Sequence, residues 1–553
     1  MAGSAAPAPA DPTALRGRTD PWGPLGLVAL ALVVAVGLWF RLRGLAAEGF
    51  ADDEVHKWLA ANRYLAGDFG GDDVEHPMLM KSLVALALWA FRGALAPEAV
   101  TRLPSAIAGG LTAVAVALLG RRLFGRGAGL LGAALVALST TAIGYHRIAK
   151  EDALLGLFFT LSVWCLAEAR AAAEDVRDRD ARRWELLAAA ALGAAFASKY
   201  FIFYFPIPVL AYLWLRPLSR WRVPLARWAA LIGFALLVFL ALNFTPLLPS
   251  TYTYMGHYIR GDAVGGDRGV SESIVFMGQL RGNLGLRGDA PPAWYFPVFA
   301  AVKFAPLTSL LGFAGLALAL ARRRPSHRIV LVWLGIFWLT FQVAGAKYGR
   351  FFVSAMPAFL ALVGHAAAVL ARAVAGRVAL LREGVAGRVA AAVAALVVVV
   401  PEVRASVLHA PHHRLYVSAV GGGDRTVTWF FPHCDYFDAG LREAVAWVAG
   451  TAPAGAEVAS EVDWSVRLYA GFAGRTDLVS RGIVPGKTCS GERPCYVLVQ
   501  PPRLYRHNEA AVARLGARTP VHVEQVRGED AVRVYQLAPG EQVFPDEAAQ
   551  VSR

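Results

Sequence analysis

Apolar runs of close to twenty residues recur from residue 25 to residue 401, and between them lie short polar stretches rich in arginine. A bilayer core takes about 20 consecutive apolar residues of helix. The pattern therefore predicts membrane spans near 23–42, 104–120, 127–144, 153–169, 185–198, 201–216, 228–246, 296–320, 329–345, 351–371 and 388–403. The run "LMKSLVALALWAFRGAL" (79–95) is interrupted by Lys81 and Arg92 and reads as a helix lying in the membrane interface. Beyond 403 the pattern changes. "LREAVAWVAGTAPAGAEVASEV", "PCYVLVQ" and "AVRVYQL" mix helical and alternating stretches. The fold class expected is an all-α polytopic membrane protein of about 11 transmembrane helices with a small C-terminal α/β extracytoplasmic domain. Residues 1–22 form a cytoplasmic tail, 23–403 the transmembrane domain with outer loops at 43–103 and 247–295, and 404–553 the outer domain.

Composition supports this class. The 553 residues are 56% hydrophobic and only 17% charged, against the ~25% charged usual for a soluble domain. The net charge of +14 points to membrane orientation rather than nucleic acid, because six of the polar stretches between runs carry the arginines. Those six (16–18, 121–126, 170–183, 216–227, 322–328 and 372–388) are assigned to the cytoplasmic side. The first run lacks a small-residue cleavage site and is expected to remain as a span. The chain is expected in a bacterial inner membrane, multi-pass, with the C-terminal domain outside.

One outer stretch is acidic. "AEGFADDEVHKWLAANRYLAGDFGGDDVEHPMLMKSL" (47–83) holds Asp52, Asp53, Glu54, Asp72, Asp73 and Glu75. Taken alone, Asp52 or Asp53 reads as the cap of an amphipathic helix 54–66 ended by Gly67. His56 and His76 read equally as solvated side chains or as phosphate or sugar contacts, and Lys81 as a snorkelling lysine or a site residue. Arg102, Arg147, Lys199 and Lys303 lie at outer helix ends, where basic residues routinely anchor and where they can also hold a phosphate. Asp152 reads either as a partner of Arg147 or as the N-cap of the span at 153. His257 and Tyr258, in "YMGHYIRGD", are candidate sugar contacts; Trp294 and Tyr295 read as interfacial belt residues. "KYGR" adds Lys347, Tyr348 and Arg350 to the same face.

Five short motifs occur in order: "DEVH" (53–56), "VEHPMLMKSL" (74–83), "TRLPSA" (101–106), "YHRIAKEDALLGLFF" (145–159) and "ASKYFIFY" (197–204). Together they resemble the protein O-mannosyltransferase family and its bacterial relatives, polyprenyl-phosphate-sugar-dependent glycosyltransferases of the GT-C class. The resemblance covers residues 25 to about 371 in layout, with its motifs before 205. It implies a GT-C-like catalytic membrane domain that moves a monosaccharide, mannose by family, from a polyprenyl-phosphate donor to an extracytoplasmic hydroxyl with inversion. It implies Asp53 as general base with Glu54 beside it. Arg102, Arg147, Lys199 and Lys303 become donor-phosphate ligands, and His56, His76, Lys81, Asp152, His257 and Tyr258 substrate contacts. The implied partners are the lipid-linked donor, a protein or glycan acceptor and the bilayer, with no nucleic acid. The chain departs from the pattern at Met78, which replaces a proline, in the short 247–295 loop, and in its C-terminal tail. These departures leave sugar and acceptor open, including a glycolipid or cell-wall polymer.

No cofactor is demanded. Asp53, Glu54 or Asp73 offer oxygen ligands to Mg2+ or Mn2+, but no spacing requires one. Cys489 and Cys495 are spaced for a disulfide in an oxidising compartment, while Cys165 lies within a span and Cys434 is left over. "HAPHH" (409–413) with "HCD" (433–435) offers zinc ligand types at no standard spacing, so loop histidines are the expected reading. A transporter would carry its ionisable groups at mid-span, whereas here they gather at helix ends. A bare membrane anchor has no need for ordered acidic and basic motifs on one face.

Overall fold

The computed structural model describes residues 22–70, 73–201, 204–208, 224–260, 273–283, 289–343, 347–378, 384–484, 488–541 and 543. The long apolar runs are helices: α1 (Pro24–Leu42), α4 (Pro97–Phe124), α5 (Arg126–Leu138) continued at a bend by α6 (Thr140–His146), α7 (Glu151–Glu174), α8 (Asp178–Ser198) and α9 (Leu225–Leu242). After α10 (Pro249–Arg260) come α11 (Tyr295–Val302), α12 (Pro306–Arg322), α13 (Pro325–Val343), α14 (Met356–Arg377) and α15 (Gly384–Leu408). Between α1 and α4 lie α2 (Asp52–Leu65) and α3 (Met78–Phe91). Among the described residues, seven helices are long and apolar enough to cross a membrane, and the α5–α6 pair, bent by 57°, adds an eighth if it counts as one span.

Local sequence sets several boundaries. Pro24, Pro97 and Pro306 stand in the first turn of α1, α4 and α12, where a missing N–H costs nothing. α4 and α5 cross closely: a Cβ on Gly129 would fall 2.5 Å from the Ala117 carbonyl oxygen, so only glycine fits.

One expectation changes. The run expected as one span over 296–320 is broken, with Lys303–Phe304–Ala305 separating α11 from α12. The reason is polar: the Lys303 carbonyl accepts from the Thr141 hydroxyl, and the Ala305 N–H donates to a Glu402 carboxylate oxygen at 2.9 Å, so these groups leave the helical ladder. The run 201–216 lies mostly outside the described residues.

After α15 the chain first packs back against the helices. Leu415, Val417, Phe431, Cys434, Tyr436 and Phe437 are buried in the same apolar core as α4, α5, α7, α11 and α14. Then α16 (Leu441–Thr451), α17 (Asp463–Phe472) and α18 (Glu509–Gly516) cover a five-stranded sheet, ordered β4–β3–β5–β7–β6. In it β3 (Glu457–Ser460) is parallel to β4 (Val479–Arg481) and β5 (Cys495–Val499), and β7 (Glu529–Leu537) is antiparallel to β5 and β6 (His522–Val526). A hairpin of β1 (Ser273–Phe276) and β2 (Gln279–Gly282) stands apart. Cys489 and Cys495 are bonded, and Cys434 and Cys165 are buried thiols.

Candidate active site

The acidic loop folds into α2 and the turn before α3, and the two halves of its carboxylate pair point into different surroundings. Glu54 is fully buried. It accepts from Arg102 Nε at 2.8 Å and Nη2 at 2.6 Å, from the Ala149 N–H at 2.7 Å and from the Ala51 N–H at 2.8 Å. This bracket ties the start of α2 to α4 and to the turn before α7. Asp53, one residue earlier, keeps a quarter of its side chain exposed. Its carboxylate contacts the Lys150 ammonium and lies 3.7 Å from Arg350 Nη2. Burial would raise its pKa, but Lys150, Arg350, Lys57 and His76 outweigh burial and hold the carboxyl well below its usual range.

Around Asp53 lies a dense ionic network. Lys57 is fully buried between Asp73, at 2.9 Å, and Glu151, at 2.7 Å. The Asp73 carboxylate also holds His76 Nδ1 at 2.7 Å. Lys199 pairs with Asp152 at 2.7 Å and lies 4.6 and 4.5 Å from the centroids of the Phe201 and Phe351 rings. The second Asp152 oxygen and Arg350 Nε are buried without a hydrogen-bond partner among the described residues. Burial pulls the Lys199 pKa down against the pull of Asp152. Arg350 lies over the Tyr348 ring at 4.6 Å and the Phe437 ring at 5.3 Å. The tail supplies the remaining wall: His433 packs at 5.8 Å from Tyr348 and 5.4 Å from Tyr505.

Several basic candidates are committed elsewhere. Arg102 gives its guanidinium to Glu54 and to the carbonyls of Leu45, Glu48 and Gly49. Arg147 donates to the carbonyls of Phe40, Arg41, Arg43 and Gly44, closing the C-terminal end of α1. Lys303 is fully buried between the Arg414 carbonyl at 2.5 Å and Asp435 at 2.9 Å. All three contact the backbone or the tail, which meets the cost of burying a cation with acceptors inside the fold.

Other readings shift too. The N-cap of α2 is Ala51, with Asp52 already inside the helix, and Val55, on its apolar face, is buried against the tail. Asp152 pairs with Lys199 rather than Arg147, and the N-cap of α7 is Lys150. Lys81 does not snorkel: its buried ammonium donates to the carbonyls of Asp73 and His76. His76 stays in the network, while His56 packs against Trp464 of the tail at 5.3 Å. Trp294 is exposed and Tyr295 fully buried. His257 and Tyr258 fall in α10, and their side chains lie outside the described residues. The histidines of the tail do not converge: His409 meets Asp424, His412 meets Glu48 and His413 meets Thr140. Lys57, Lys150 and Glu151 were not singled out in the sequence, although the last two stand in the "YHRIAKED" motif.

Asp73, His76 and Glu151 bring ligand atoms within 4.8 Å of one another. The Lys57 ammonium already bridges both carboxylates, with Lys81 at 3.8 Å from Asp73 and Lys150 at 3.7 Å from Glu151. These residues therefore do not fit a divalent cation, whose charge the lysines supply.

The fold is one shared with a solved membrane protein, ArnT, and part of the chain matches one family model. Residues 75–244 match the profile of the dolichyl-phosphate-mannose-protein mannosyltransferase family, a stretch that takes in the later four motifs and starts after DEVH. Among solved structures, ArnT from Cupriavidus metallidurans bound to undecaprenyl phosphate is 14% identical over 93% of this chain and 98% of that one, with a TM-score of 0.52. The oligosaccharyltransferase of Archaeoglobus fulgidus, tethered to an acceptor peptide, is 12% identical over 86% of this chain and 69% of that one, with a TM-score of 0.48. No curated protein sequence matches the chain.

Proposed function

We propose that the chain transfers a monosaccharide from a polyprenyl-phosphate donor to an acceptor hydroxyl at the outer face of a bacterial cytoplasmic membrane. The observation that carries this reading is Asp53, an accessible carboxylate facing Lys150 and Arg350 on a rigid helix. The acceptor oxygen attacks the anomeric carbon and its proton passes to Asp53. The bond from that carbon to the phosphate oxygen breaks, and the electron pair leaves with the polyprenyl phosphate. One displacement inverts the anomeric configuration. A depressed pKa keeps Asp53 ionised at neutral pH, ready to accept the proton as the leaving group departs.

Charge growing on the phosphate needs preorganised cations. Arg350, with a buried Nε lacking a partner, and Lys199 take that role, with Lys150 shared between Asp53 and the phosphate. Asp152 orients Lys199, and Lys57, Asp73, His76 and Lys81 keep the loop rigid. Glu54 positions Asp53 by fixing the first turn of α2. The family match and the fold shared with a protein solved with undecaprenyl phosphate support the lipid donor. The family description supports mannose as the sugar, with a protein or glycan hydroxyl as the acceptor. Residues 404–553 act as an outer domain that backs α2 and roofs the site.

The test incubates purified protein with a panel of labelled polyprenyl-phosphate sugars, wild type beside Asp53→Asn. Transfer from one donor, abolished in the variant, is the expected result. Turnover that persists in Asp53→Asn removes the base from its role.

A further inference from the structure

The other end of the helical bundle carries a separate basic cavity. From Arg102, beside Glu54, α4 runs to Phe124, 22 residues on, or about 33 Å of helix. That matches the ~30 Å hydrocarbon thickness of a bilayer. At this far end a cavity of about 410 Å³ opens among α4, α5, α12, α13 and α14. Arg126, Arg322, Arg324 and Arg372 line it together with His327 and His365, and among the described residues none of its lining is acidic.

The arginines are exposed and the two histidines buried. His327 Nδ1 accepts from the Arg324 N–H at 3.3 Å, and its Nε2 lies 3.1 Å from His365 Nε2. That pattern assigns the shared proton to His327 Nε2 and leaves His365 with an Nδ1 proton. Phe124 packs on both rings, at 5.9 and 4.4 Å, and fixes them. Two helices also begin at this cavity, α5 at Arg126 after Gly125 and α13 at Pro325. Helix N-termini carry partial positive charge and favour anions. Membrane orientation alone calls for arginines in a loop. It does not call for their convergence on a concavity with buried imidazoles and two helix starts.

We propose that this cavity binds a phosphate group, as the headgroup of a polyprenyl phosphate or as soluble phosphate, at the membrane face opposite Asp53. Arginine forks suit the tetrahedral oxyanion, and the volume leaves room for bound water. The assignment stands apart from the proposed transfer reaction.

The experiment uses the full chain in nanodiscs of zwitterionic lipid and follows hydrogen exchange of peptides covering 123–130 and 322–328. Inorganic phosphate and a polyprenyl phosphate are titrated separately. Protection of both peptides in the wild type is expected. Half-saturation should rise roughly tenfold or more in Arg324→Gln/Arg372→Gln, as for loss of charge-assisted hydrogen bonds, while the matching double Lys variant stays within about threefold because charge is kept. Both arginines are exposed, so the variants fold, and sugar transfer should not change. Protection by inorganic phosphate identifies a soluble ligand; protection by the lipid alone identifies a headgroup. No protection by either probe, or equal half-saturation in the Gln variant, overturns the proposal.

Discussion

Two buried ionic networks meet at one end of the helices, and they differ in completeness. The first joins the tail to the membrane helices. Glu48 holds His412 at 2.7 Å and Arg414 at 2.9 Å, Asp435 accepts from Tyr145 at 2.9 Å and from Lys303 at 2.9 Å, and Arg414 reaches the Asp435 and Tyr436 carbonyls. Each of these charges meets its partners within the protein. The second, around Asp53, has a partly exposed carboxylate and, among the described residues, a buried Arg350 Nε without a partner and a half-partnered Asp152. A satisfied network fastens elements. An incomplete one of opposite charges beside solvent is where substrate groups complete the bonding. The comparison separates charges satisfied within the fold from charges left open to a ligand, although sequence places both at helix ends.

The sharpest way to break the contrast is Asp53→Asn, expected to lower transfer by about 10²–10⁴ with a smaller loss of unfolding temperature than the variants below, since Lys150 keeps Glu151 nearby, as read by labelled-sugar transfer and thermal unfolding. Glu54→Ala should lose activity for another reason. It leaves Arg102 buried without its carboxylate and costs about 3–5 kcal/mol of stability, visible as lower yield and earlier unfolding. Asp435→Asn should likewise destabilise, by up to about 3 kcal/mol, and free the tail to proteolysis, since Lys303 loses its counter-ion. Arg350→Gln should keep the fold and raise KM for the lipid donor about tenfold, the equivalent of one lost charge-assisted contact of ~1.4 kcal/mol.

The smallest effect is on pH dependence. Burial lowers the Lys199 pKa while Asp152 raises it. Its charge, and with it donor binding, is lost as pH rises through a value below the ordinary 10.5. Asp152→Asn removes the upward pull, so the alkaline limb of a KM-against-pH profile should move to lower pH. An unchanged limb would detach Lys199 from the phosphate.

Hydrophobic run length alone determined the membrane class, the position of most helices and the change of character after 403, because a span must satisfy its own backbone and bury nothing polar. The ordered motifs located the acidic loop, the "YHRIAKED" turn and Lys199 on one face. What the sequence could not decide was which cation serves which partner. Arg102, Arg147 and Lys199 look alike as basic residues at helix ends, yet the first two close on carbonyls brought from α1 and the first outer loop, and only Lys199 lies beside Asp152 and two aromatic rings. The same holds for Asp53 and Glu54: neighbours on a helix point about 100° apart, so one enters the core and the other the site. The break at Lys303 depends on Thr141 and Glu402, residues more than ninety positions away. Such pairings are long-range, fixed by how helices pack, and only the tertiary structure decides them.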